Sequence, residues 1–88
     1  MTDRLKSTGR NTNLSQPIYL TSSGDAAQLA QAVKGNRSYT ELRDTHGRIS
    51  RSLGAWNGWV RGQRVPSLAT LIALADAADA QIVVLPRR

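Results

Sequence analysis

Eighty-eight residues with no cysteine suit one small domain in a reducing compartment, without disulfides or cysteine-bound zinc. Ten arginines and two lysines against six acids give a net charge of +6, which suits a polyanionic partner, a merely soluble basic surface being the plainer alternative. No apolar run approaches the roughly 18 residues of a membrane span, and residues 1–6 lack the apolar core of a signal peptide, so a cytoplasmic protein is expected.

Residues 1–16 carry Thr, Ser, Asn and Gly and almost nothing apolar, too little to order themselves by burial. They read as a flexible basic arm in which Arg4, Lys6 and Arg10 reach phosphate or minor groove, or as a plain floppy terminus. The domain proper is expected over 17–88. Pro17-Ile-Tyr-Leu-Thr21 suits a short strand opened by proline. Ser22-Ser23-Gly24-Asp25 then caps a helix whose apolar stripe is Ala26, Leu29, Ala30 and Val33, ended by Gly35-Asn36.

The central stretch runs from Ser38 to Pro66. Ser38-Tyr-Thr-Glu41 is a capping box, and the helix it opens is expected to stop near Gly47 as a left-handed C-terminal residue. The next helix starts at Ser50 or Ser52, either of which suits an N-cap. Ile49, Leu53, Trp56 and Val60 share one face by their spacing. Arg51, Ser52, Ala55, Asn57, Gly58 and Arg61 fall on the others. One side packs and the other is small, polar and cationic, which suits a helix lying in the major groove of DNA. Seven cations stand between Lys34 and Arg64 against Glu41 and Asp44, whereas Val65 to Pro86 holds no cation and two aspartates. Gly54 and Gly58 each cost a helix about 1 kcal/mol relative to alanine. Close approach to DNA or to a neighbouring helix would supply a reason; a frayed helix is the plainer alternative.

Arg61 to Pro66 reads as a loop. Pro66 and Ser67 open a last helix with Leu68, Leu71, Ile72 and Ala75 on its apolar face, widened by Leu74 and Ala78. Gln81-Ile-Val-Val-Leu85 reads as a strand. A lone strand needs a backbone partner: Ile18 to Thr21, or the same strand of a second copy. The second choice makes a two-fold dimer through Ile82, Val83, Val84 and Leu85.

The segment Trp59-Val-Arg-Gly-Gln-Arg-Val-Pro-Ser-Leu-Ala-Thr-Leu-Ile-Ala-Leu-Ala-Asp-Ala-Ala78 resembles the end of a Cro/C1-type (XRE-like) helix-turn-helix domain. In that family an aromatic or Leu ends the recognition helix, a charged Gly-containing loop and Pro follow, and Ser-Leu-x-Thr-Leu opens the next helix. The resemblance covers residues 24 to 80, is more specific in its second half, and departs from the family in a helix-turn-helix two or three residues longer. It implies a mostly α fold of four helices with short terminal β-strands. It also implies a transcriptional regulator like a phage Cro or immunity-type repressor, dimeric on an inverted-repeat operator, acting by occlusion. An antitoxin-type autorepressor of the same fold is the close alternative. No effector domain is present, so no small-molecule effector is expected.

Arg51, Ser52 and Asn57 are the base-reading candidates, since Arg pairs bidentately with guanine and Asn with adenine. Ser50 stands beside them in the turn and joins the DNA-contact set. Arg48, Arg61 and Arg64 suit passing phosphates, and Ser38, Tyr39 and Thr40 present amides and hydroxyls to phosphate. His46, the only histidine, has no metal-ligand or catalytic partner, and Glu41 and Asp44 are explained by capping and by pairing with Arg43 or Arg48. Trp56 reads as core and Trp59 as core or half-buried; a stacking platform for single strands would use the same aromatics. No cofactor, metal or enzymatic activity is expected. A protein-interaction module using the strand 81–85 is the reading from another class.

Overall fold

A computed structural model of the chain describes residues 17–86; the proposed basic arm, with Arg4, Lys6 and Arg10, lies outside them. Four helices follow in order: α1 (Ser23–Lys34), α2 (Tyr39–Thr45), α3 (Leu53–Val60) and α4 (Leu68–Ala77). Each is opened by a serine whose hydroxyl accepts from an amide three residues on: Ser22 from Asp25, Ser38 from Glu41, Ser52 from Ala55 and Ser67 from Thr70. The Ser38 box is complete, with the Glu41 carboxylate accepting from the Ser38 amide at 2.9 Å.

The C-terminal ends are closed by backbone turns. After α3, Gly62 takes φ +74°; its amide donates to Trp59 O, and Gln63 N donates to Gly58 O at 2.9 Å. After α4, Asp79 takes φ 58°, with Asp79 N donating to Asp76 O and Ala80 N to Ala75 O at 2.8 Å. Both are Schellman motifs, which satisfy the last carbonyls of a helix.

The core is built on Trp56, Leu42 and Leu74, all fully buried. Leu29, Ala30 and Val33 of α1 pack against them, with Ala55 and Trp59 of α3 and Ala75 and Ala78 at the end of α4. The two indoles meet edge to face, 5.3 Å between centroids. The polar atom of Trp56 is satisfied inside the fold, since Nε1–H donates to Ser50 O at 2.9 Å. That bond ties the turn before α3 to the helix interior.

Three expectations change. No strand forms among the described residues: 17–20 and 80–86 are irregular. Ile18 and Ile82 instead lay their side chains against the helical core, and neither segment offers the other a backbone ladder. Val83, Val84 and Leu85 stand exposed, Val84 at 92%.

The buried face of α3 is Ala55, Trp56, Gly58 and Trp59, while Leu53 is 39% exposed. Two tryptophans three residues apart hold more apolar area than Leu53 and Val60 together, so the helix turns to bury both indoles.

In α4 the buried positions are Leu74 and Ala75, with Ala78 just after; Leu68 and Ile72 are exposed. The helix packs against α1, and its buried residues lie in its C-terminal half, with Leu71 half-buried before them. No helix among the described residues is long and apolar enough to cross a membrane.

Candidate nucleic-acid interface

Helix α3 is held on one side by α1 and α2. At about 100° per residue, its buried positions centre on Trp59, between Ala55 and Trp56. Directly opposite lie Leu53, Gly54, Asn57 and Arg61, an arc about 100° wide. Leu53, Gly54 and Arg61 are exposed and Asn57 is half-buried. Of the base-reading candidates, Asn57 stands in the middle of this arc. Arg51 and Ser52 immediately precede the helix, both exposed. The Ser52 hydroxyl accepts from Ala55 N at 3.1 Å, and the Ser50 hydroxyl from Ser52 N at 3.0 Å. As acceptors both shape the turn, and each keeps its hydroxyl hydrogen and a second lone pair for an outward contact.

The two glycines of α3 have opposite surroundings. A β-carbon on Gly58 would run into the Cδ of Arg64 and fall 2.6 Å from its Cγ and 3.1 Å from its Cβ. The loop after α3 folds back over that position, with Arg64 N donating to Gly58 O at 3.1 Å. A β-carbon on Gly54 would meet only Ser52 Oγ, at 3.8 Å. Nothing among the described residues requires Gly54 to lack a side chain. It leaves bare backbone on the outward arc.

Gly47 also differs from expectation. α2 ends at Thr45 with His46 as its C-cap, and Gly47 is not left-handed. Its use is clearance, because a β-carbon there would sit 3.0 Å from Arg43 O and 3.2 Å from the Arg51 guanidinium. Arg51 is thereby laid over the turn, on the approach to α3.

The cations frame the arc unevenly. Arg48, Arg51, Arg61 and Arg64 are exposed. Arg37 donates to Val33 O at 2.9 Å, Lys34 lies 5.1 Å over the Tyr39 ring, and Arg43 pairs with Asp44 at 3.3 Å. The four exposed arginines therefore belong to the two flanks of α3, and the three engaged cations to α1, α2 and the connection between them.

The phosphate candidates on α2 divide in the same way. Both the amide and the hydroxyl of Ser38 are engaged in the capping box. The Tyr39 ring packs on the core under Lys34. Thr40 remains exposed.

His46 is half-buried between α2 and α3. Desolvation, then the nearby Arg37 charge, lowers its pKa from the ordinary histidine value, so it is neutral at physiological pH. Among the described residues no group of three His, Asp or Glu side chains could hold a metal ion. On α3, helical periodicity misplaces Leu53: its spacing from Trp56 and Val60 marks core, and the packing of the second indole turns it outward.

No family model, curated protein or solved structure matches this chain.

Proposed function

We propose that this chain is a sequence-specific double-stranded DNA-binding protein, a transcriptional regulator of the Cro/C1 type that acts as a repressor by occluding its operator. The observation that carries the reading is the outward arc of α3. A bare Gly54 and a hydrogen-bonding Asn57 stand opposite the tryptophan core, between flanks carrying Arg48 and Arg51 on one side and Arg61 and Arg64 on the other. A helix presenting this face can enter a major groove while its flanks meet phosphates. The role in transcription comes from the resemblance of Trp59 to Ala78 to that family; charge and geometry support DNA binding alone.

A dimer belongs to the same proposal. The stretch from Val65 to Pro86 is free of cations, and Val83, Val84 and Leu85 are exposed. A second copy can cover there an apolar segment that is hazardous when open. Two recognition helices about 34 Å apart would then read an inverted repeat.

Titration of a duplex pool against salt tests the reading. With six phosphates contacted per dimer, log K falls against log salt with a slope of about −5. A slope near zero, or preference for single strands, would overturn it.

A further inference from the structure

We infer that Leu53 is a specificity-determining residue that reads the 5-methyl group of a thymine in the major groove. The inference rests on the duplex-binding reading above and adds a base preference to it.

Leu53 is the first residue of α3 and is 39% exposed. Ile49 and Val60, the residues that share its apolar spacing, are half-buried against the core cluster, and Leu53 is more exposed than either. It shares the outward arc with Gly54, Asn57 and Arg61. The other side chains on that arc and its approach, Arg51, Ser52, Asn57 and Arg61, are all polar or cationic, so Leu53 is its one large apolar group. Within the major groove, base edges offer donors, acceptors and one apolar group, the thymine methyl. An apolar side chain on a groove-facing arc therefore has one matching target. Gly54 makes the approach feasible: it has no β-carbon, and beyond its own helix backbone and chain neighbours the nearest atom among the described residues to where one would sit is Ser52 Oγ at 3.8 Å, so the first turn of α3 can come close to the base edges without a side chain standing it off.

Uracil substitution isolates the methyl. Duplexes bound by the wild-type protein are selected from a random pool, and each thymine of the selected site is replaced in turn by deoxyuridine, which keeps base pairing and removes only the methyl. For wild type, one thymine per half-site should lose about fourfold in affinity on replacement, the worth of burying one methyl-sized group. For Leu53→Ala, replacement at that position should have no effect, while other positions respond as in wild type. Leu53→Met, which keeps an apolar reach, should retain the sensitivity. If Leu53→Ala stays as sensitive as wild type, or if wild type is insensitive at every thymine, Leu53 reads no methyl although the duplex reading stands. If no duplex is enriched, both fall together. If Leu53→Ala fails to fold by circular dichroism, Leu53 is a core residue and the inference is overturned.

Discussion

The Arg64 side chain lies across the α-carbon of Gly58, so close that a β-carbon there would fall 2.6 Å from its Cγ. This contact separates the two glycines of α3. Gly58→Ala gains helix propensity of up to about 1 kcal/mol but must push the 61–64 loop away, at a cost of about 1–3 kcal/mol for overpacking. Net destabilisation is expected in thermal or urea unfolding, along with weaker DNA binding as Arg64 is displaced. Gly54→Ala has open space, so it should raise stability by about 0.5–1 kcal/mol. If Gly54 is bare for close approach to a groove, the same variant binds duplex more weakly although it is more stable. Unchanged or tighter binding would remove Gly54 from the interface.

Base readers and phosphate anchors should separate. Asn57→Ala, in the middle of the outward arc, and Arg51→Ala, on its approach, should each cost about 1–3 kcal/mol on the selected site and relax preference at one base position. Arg64→Ala should weaken all sequences alike. Binding profiles over a mutated-site library distinguish the two patterns. Asn57→Ala behaving like Arg64→Ala would mean that α3 does not enter the groove by this face.

The C-terminal segment divides at Ile82. Ile82 rests on the core, whereas Val84 is 92% exposed. Ile82→Asp should destabilise the domain itself, because it puts a carboxylate against apolar side chains. Val84→Asp should leave the domain folded, and should convert dimer to monomer if a second copy covers this segment. Sedimentation of parent and variant decides it: a parent that is monomeric at high concentration, or a Val84→Asp protein that sediments as its parent does, removes this segment from any interface.

Acidification should act on stability through His46. Its folded pKa lies below the unfolded value because of desolvation and then Arg37, so the unfolded chain binds the proton more readily. Stability from this group is whole above about pH 6.5 and declines as pH falls from there toward the lower folded pKa. Asp25 is also depressed, chiefly by its hydrogen bond from the Thr21 hydroxyl, but its contribution is lost only around and below the ordinary carboxylate range. Unfolding midpoints of His46→Gln should therefore be flatter than wild type between pH 7 and pH 5, and should track it more closely at lower pH. Parallel profiles over the upper range would mean that His46 is no more buried than in the unfolded chain.

Local chemistry made much of this protein legible before folding was considered. The serine caps at 22, 38, 52 and 67 and the Ser38–Glu41 box set where helices begin, because a hydroxyl and an amide three residues apart meet without help from the rest of the chain. The concentration of cations between Lys34 and Arg64 is likewise a property of the linear chain. What the tertiary structure alone decided is rotation and partnership. Which face of α3 is buried depended on α1 and α2 accepting two indoles, and this turned Leu53 outward and Ala55 inward. Which residues of α4 are buried depended on its packing against α1, which covers Leu74 and Ala75 and leaves Leu68 and Ile72 exposed. The β-branched run Ile82 to Val84 has the composition of a strand, but a strand is a relationship between two backbones. Among the described residues Ile82 has a core to cover and no neighbouring ladder to join. Gly47 and Gly62 show the same division: residue type alone marks both as turns, and only the surrounding atoms assign left-handed backbone to Gly62 and clearance for Arg43 and Arg51 to Gly47.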